Sequence, residues 1–304
     1  MADGVRLRWR RGVRRLMFLS ARSLLRVVGF ERAGAAGRLL GGLQYRLGGG
    51  ARRRMQAEMA LALGRPADDP GVAPLLREAY RVNTAAVFEI MAMLDRRQDE
   101  AMLVARCELE GLEHLRAALA AGRGAILMAA HMGNAALVPL RLASAGWPVS
   151  VLYKESRMMS ADFFLEGLER YAIQGIAANA GLRAYGQMLA ALKQGRIVFL
   201  MLDQGVKQAR DGQVHRFLGK DMPMPAGPAQ LARAARAPVL PVATLAATPR
   251  WRFALQPPPT LGQASLEADV ATLVRATERI VLDQPQLWSW PQRRWRKFPS
   301  AAPS

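Results

Sequence analysis

The sequence predicts an α/β fold: a mostly parallel mixed sheet flanked by helices, with a helical region ahead of it. Three observations carry that prediction. Two uncharged apolar runs, Ala125–Ala130 and Ile197–Leu202, do not alternate and are bounded by turn and polar residues, as strands buried on both faces are. From Cys107 onward helical and strand patterns alternate, which is the pattern of a largely parallel sheet. The first hundred residues show helical periodicity and no strand signal.

Residues 1–32 open the chain as a basic amphipathic segment. Val13, Leu16, Met17, Leu24, Val27 and Val28 share one face at helical spacing, and most arginines fall opposite or at its flanks. That pattern suits a helix lying in a membrane interface, which net charge and amphipathic pattern together favour over a soluble helix with a solvated basic face. Its longest uncharged stretch, Leu16–Ala21, is far short of the roughly 20 residues a spanning helix needs. No signal-peptide pattern is present.

Residues 33–105 read as a helical region. Breaks fall at Gly48-Gly49-Gly50 and Gly64-Arg65-Pro66, a turn covers Pro66 to Pro70, and a further helix covers 72–95. Residues 106–304 read as the α/β core. Helix Leu112–Ala121 leads to strand Ala125–Ala130, then to helix Asn134–Ala145 and strand Val149–Tyr153. Helix Ala161–Tyr171, a short strand around Ile176 and helix Leu182–Leu192 lead to the run Ile197–Leu202. A long loop containing His215 and Pro223-Met224-Pro225 follows, of a length that tends to be functional. The chain then predicts helix Gly227–Arg236, strands Val239–Leu245 and Trp251–Leu255, and a last helix over Leu266–Leu282.

At 304 residues the chain can bury a large core, and its hydrophobic fraction is 51%. The net charge of +19 is unevenly placed, because residues 1–60 carry 14 Lys and Arg against 3 Asp and Glu. A second basic cluster, Arg293-Arg294-Trp295-Arg296-Lys297, lies near the end. Such charge suits an anionic membrane surface. Nucleic acid is not expected as a partner, since charge alone favours it and no groove-reading motif accompanies it. The single cysteine, Cys107, excludes an internal disulfide framework and reads as a small half-buried hydrophobe. Scattered histidines without cysteines or paired carboxylates give no metal-ligand spacing, and neither metal nor cofactor is expected.

The segment Gly122–Asn134 organises the core. A glycine turn feeds a buried strand that ends on His131, at the carboxyl edge where open α/β sheets bind ligands. A histidine there is a candidate general base or a polar residue satisfying a neighbouring carbonyl. Asn134 is placed to cap the following helix and, with Gln204, is a candidate substrate-binding residue. Lys154 and Arg157 follow the next strand and suit a phosphate or carboxylate, and Arg170 sits on the next helix. Asp203 and Gln204 follow the strongest apolar run, so Asp203 lies at the same sheet edge as His131, as a loop anchor or as a participant in chemistry. His114 reads as structural, and His215 as an exposed loop histidine. Met158, Met159, Met222 and Met224 fall in loops near that edge, where flexible thioethers suit an apolar-chain surface.

The order of these pieces resembles the bacterial lipid A biosynthesis acyltransferases, the lauroyl/myristoyl family of the lysophospholipid acyltransferase superfamily. Matching segments run in order over nearly the whole chain. They are Glu110–Leu115, Gly124–Asn134, Gly195–Gln204, Phe217-Leu218-Gly219 with Gly227–Ala232 and Ala237–Pro241, and Gln286–Trp290 through Lys297. The resemblance implies a glycerolipid acyltransferase-like fold with an apolar groove between the helical region and the edge holding His131. It implies acyl transfer from acyl carrier protein or a coenzyme A thioester to a hydroxyl of a lipid or glycolipid. The setting it implies is the cytoplasmic face of the bacterial inner membrane, bound peripherally or monotopically.

In that family a histidine and, five residues on, an acid form the catalytic pair. Here the histidine is His131, but Ala136 stands in the acid's place and Ala135 precedes it. Alanine can neither fix an imidazole tautomer nor balance an imidazolium; in serine proteases, neutralising the orienting aspartate costs about 10⁴ in kcat. Another carboxylate, Asp203 or Glu155, then serves His131, or a slower base is tolerated, or the protein keeps only a lipid-binding role. The resemblance also places Lys154, Arg157 and Arg170 on acceptor phosphates or carrier phosphopantetheine.

Overall fold

A computed structural model describes residues 16, 18–154, 161–206 and 212–290. Helix α1 spans 18–28, followed by α2 (Phe30–Leu47), α3 (Gly49–Ala62) and α4 (Val72–Asp95). A short α5 (Glu100–Arg106), capped by Asp99, leads into β1 (Cys107–Glu110). The predicted Gly48-Gly49-Gly50 break is a kink at Gly48, with helix on both sides.

Helices α2 and α4 meet backbone to backbone. A Cβ at Gly37 would come within 2.5 Å of Ala85 Cα, and one at Gly41 would run into the Tyr80 carbonyl. Gly34, Gly37 and Gly41 therefore form the buried stripe of α2. The N-terminal arginines do not all face outward. Arg22 and Arg26 both bond Asp95 at the end of α4, each at 2.6 Å. Burial pushes the Asp95 carboxyl up, but Arg26 and Arg22 outweigh it and hold it below its ordinary value.

The core continues as α6 (Leu112–Ala120), β2 (Ala125–Ala129), α7 (Leu137–Ser144), β3 (Val149–Tyr153), α8 (Ala161–Glu169) and β4 (Gln174–Ala177). Then come α9 (Leu182–Lys193), β5 (Ile197–Met201), β6 (Gln213–Phe217), β7 (Lys220–Met224), α10 (Gly227–Ala235), β8 (Val239–Ala246), β9 (Trp251–Leu255) and α11 (Leu266–Asp283). Seven strands form one sheet in the order β1-β9-β8-β2-β5-β3-β4. Only the β8–β9 pairing is antiparallel. All five residues of β2 are buried, as its unalternating apolar sequence requires.

Two expectations are corrected. The long loop holding His215 is in part an antiparallel hairpin, β6 paired with β7. Its two-residue turn puts Leu218 at φ 52° and Gly219 at φ 76°. Both positive values are what a tight hairpin turn needs, but leucine rarely supplies one and Pro223 argues against a strand, so the sequence masked it. Met222 and Met224 lie on β7 and are fully buried, so they are core and not acyl-chain surface; Met158 and Met159 lie outside the described residues. Cys107 begins β1, 2% exposed, with its thiol pushed up to about 12 by burial.

Candidate active site

Strand register brings the central pair together. In the β2–β5 ladder Ala129 faces Met201, and two residues beyond each stand His131 and Asp203. Leu202 N–H donates to the Ala129 carbonyl at 3.0 Å, carrying the pairing past the strand ends. His131 Nδ1 then lies 2.6 Å from Asp203 Oδ1, and the His131 amide donates to Asp203 Oδ2 at 3.0 Å. The carboxylate is fully buried, while the imidazole side chain is 38% exposed.

A third group completes the arrangement. The segment Leu287–Ser289 runs antiparallel to the His131 loop: Gly133 N–H donates to the Leu287 carbonyl and Ser289 N–H to that of His131. This docking inserts the Trp288 ring, whose Nε1–H donates to Asp203 Oδ2 at 2.7 Å. Burial pushes the Asp203 carboxyl up, but the charge and ring bond of His131, the Trp288 indole and the His131 amide together hold it below its ordinary value. Asp203 is thus an ionised acceptor of three N–H groups.

Beneath the loop lies a second buried carboxylate that the sequence did not single out. Glu89, on α4 and 3% exposed, bonds Arg106 Nη2 at 2.6 Å through Oε1. Its Oε2 accepts from Asn134 Nδ2 at 2.9 Å and from Trp251 Nε1 at 2.5 Å. Gly133, at φ 51°, lies flat on Trp251, where any Cβ would strike the indole ring. The turn carrying His131 is therefore held from α4, from β9 and from the C-terminal segment at once. In sequence Glu89 sits inside an apolar helical pattern, and only its charge on that face could have marked it.

Asn134 is not the predicted cap. Helix α7 begins at Leu137 with Ala136 at its N-cap and no side-chain cap bond, while the Asn134 side chain is buried on Glu89. Arg170 turns its guanidinium to the Leu94 carbonyl at the end of α4, at 2.5 Å. Lys154 is exposed beside the site, and Arg157 and Glu155 lie outside the described residues. Gln204 brings its side-chain nitrogen within 3.3 Å of His131 Nε2. His215 lies on β6 beside Gln213, and His114 on α6 beside Glu113.

His131 opens onto a pocket of about 490 Å³ between α4 and the sheet edge. Its walls are mainly apolar: Ile90 and Met93 from α4, Ala136 and Leu140 after β2, Phe164 from α8 and Phe199 from β5, with Lys154 and Gln204 as its polar side chains beside His131. A buried acid bonded to a half-exposed imidazole at the end of an apolar cleft is the geometry a general base needs, and the cleft has the lining a hydrocarbon chain would need.

The family model described as bacterial lipid A biosynthesis acyltransferase matches residues 12–297. The chain belongs to that family. Among curated relatives, the phosphatidylinositol mannoside acyltransferase of Mycobacterium tuberculosis (strain H37Rv) is 26% identical over 221 residues, covering 72% of this chain and 66% of that protein. The protein of the same name from Mycolicibacterium smegmatis is 26% identical over 260 residues, covering 84% of this chain and 83% of its own. The sequence reading anticipated membership of the lipid A acyltransferase family, as well as a mixed, mostly parallel sheet preceded by helices. Among the described residues, no helix is long and apolar enough to cross a membrane.

Proposed function

We propose that this member of the lipid A acyltransferase family moves a fatty acyl chain from a thioester donor, acyl carrier protein or coenzyme A, to a hydroxyl of a lipid or glycolipid. The observation that carries the reading is the 2.6 Å bond from His131 Nδ1 to the buried Asp203, at the mouth of an apolar pocket. With Nδ1 committed to Asp203, Nε2 is the nitrogen that takes the acceptor's proton. The acceptor oxygen attacks the thioester carbonyl carbon, forming the C–O bond. The C–S bond breaks, and the proton held on Nε2 passes to the leaving thiolate. Asp203 fixes the tautomer and balances the imidazolium, the role that an acid at position 136 would have.

The pocket takes the acyl chain, and Lys154 meets anionic parts of donor or acceptor at its rim. Gln204, beside Nε2, contacts the reacting groups. The mycobacterial relatives, by name phosphatidylinositol mannoside acyltransferases, support a glycolipid acceptor. We place the protein on the cytoplasmic face of the bacterial inner membrane, held by its basic N-terminal region. The alternative, a lipid-binding protein without turnover, rests on the alanine at position 136, and the pairing of Asp203 with His131 supports the enzyme over it.

The test is acyl transfer by the purified chain with acyl carrier protein and coenzyme A donors, against a panel of lysolipids, lipid A precursors and mannosylated phosphoinositides. Transfer that disappears in His131→Ala is the expected result. Equal rates in wild type and His131→Ala would overturn the proposal.

A further inference from the structure

The helical region contains a second apolar pocket, of about 750 Å³, distinct from the one that His131 lines. The residues around it are arranged inside out for a protein surrounded by water. Helix α2 buries its small residues, Ala33, Gly34, Gly37 and Gly41, and exposes Leu39, Leu40, Leu43 and Leu47. A water-facing helix does the reverse. The preceding helical segment buries Leu25 but likewise exposes Leu16, Leu19, Leu24 and Val27, while Arg22 turns onto Asp95. Most of the exposed large hydrophobic side chains among the described residues belong to these two helices. A concentration of this kind marks a contact with an apolar partner.

Charge identifies that partner. Residues 16–62 carry eight arginines against two glutamates. Arg46, in the last turn of α2 beside the outward Leu47, is exposed, as are Arg53 and Arg54 on α3. Outward leucines on helices that also carry exposed arginines suit an anionic lipid surface. The pocket opens in this same face, between Leu24 and Leu40 on one side and Val87 and Phe88 on the other, with Trp290 lining it. Its volume lies within the roughly 300–1,000 Å³ of small-molecule sites.

We propose that this pocket takes one acyl chain of an anionic bilayer phospholipid, drawn in as the leucine face of α2 enters the membrane interface. The occupant is a lipid of the host membrane and not the donor's chain, which the pocket at His131 accommodates. The two pockets lie on different faces of α4: Val87 and Met91 face one, Ile90 and Met93 the other. Trp290, at this pocket, packs edge-on against Trp288 with ring centroids 4.8 Å apart, and Trp288 bonds Asp203. Seating a lipid therefore presses on the wall that holds the orienting acid. The inference rests on the membrane association of the preceding reading and not on turnover at His131.

Tryptophan quenching reads the pocket directly. The full chain is mixed with phosphatidylglycerol vesicles whose acyl chains are brominated, with unbrominated vesicles as reference, and binding is measured in parallel by cosedimentation. The expected result is cosedimentation that weakens with salt, and quenching that is smaller in Trp290→Phe than in wild type. Val87→Phe, on the exposed wall of the pocket, should lose quenching while still cosedimenting, which keeps the test decisive if Trp290→Phe does not fold. Cosedimentation with equal quenching in wild type and both variants would overturn the proposal while leaving membrane association standing. Absence of cosedimentation would overturn both. Seclusion of Trp290 from brominated lipid by a second copy, or by residues 291–304, would assign the pocket to protein and also overturn it.

Discussion

His131 meets Asp203 across two adjacent parallel strands and not along its own loop: each stands two residues past the facing pair Ala129 and Met201. The geometry makes the acid as rigid as the sheet that carries it. Asp203→Asn keeps the shape but offers the wrong partner to the Nδ1 side of the ring. By analogy with the orienting aspartate of serine proteases, transfer should fall by about 10⁴. Single-turnover rates with a thioester donor check this, and a loss under tenfold would remove Asp203 from catalysis.

Position 136 follows from the same pairing. Ala136 lines the apolar pocket, so introducing an acid there adds a second carboxylate beside a histidine that Asp203 already holds. Burying an unpaired charge is costly. Ala136→Glu should therefore lower transfer, with the larger effect on KM for long-chain donors. A rise in kcat would show that Asp203 does not fill the orienting role.

Trp288 offers a milder test. Trp288→Phe keeps an aromatic ring in the core but removes the indole N–H from Asp203. A hydrogen bond to a charged group contributes about 1.5–3 kcal/mol, so the variant should be destabilised by that order in urea titration. Transfer should also fall, because one of the groups keeping Asp203 ionised and in place is gone. Unchanged stability and rate would make the contact incidental.

The pH dependence of stability carries a defined sign. Asp203 is held below its ordinary value in the folded chain, so its contribution is complete above the unfolded value of 3.8 and is lost as pH falls through the folded one. The stability gap between wild type and Asp203→Asn should narrow as pH drops below that point. Denaturant titrations between neutral and strongly acidic pH measure it, and a gap that widens toward acid would contradict the ionised, paired carboxylate.

What the sequence made legible were the elements whose local pattern agrees with their place in the fold. Strands β2 and β5 read as buried because no charge interrupts them, and α4 read as one helix because its apolar period is unbroken. The hairpin was hidden because its turn residue is Leu218 and its second strand contains Pro223. His131 and Asp203 could each be placed at the sheet's active edge. Their contact depends on β2 and β5 being neighbours, and strand order is a property of the whole sheet. Glu89 was invisible for a related reason: its partners Arg106, Asn134 and Trp251 lie up to 162 residues away. Asn134 was read locally as a cap, but a buried carboxylate from another element took its side chain.

That carboxylate yields the prediction most sensitive to the fold. Glu89 joins α4 to the His131 turn through Asn134, to β9 through Trp251 and to the end of α5 through Arg106. Glu89→Ala leaves the half-buried Arg106 beside an empty space and strips two N–H donors of their acceptor. Breaking a fully buried ion pair costs about 3–5 kcal/mol, and because Arg106 is 27% exposed the loss here should fall below that range. Glu89→Gln keeps the shape and one acceptor oxygen, so it should retain more stability than the alanine variant while losing the pairing with Arg106. Because the network also fixes the turn that presents His131, both variants should lower kcat more than they raise KM. Denaturant titration and steady-state kinetics on the two variants measure these effects separately. If Glu89→Ala lowered stability without touching kcat, the network would hold the fold but not the base.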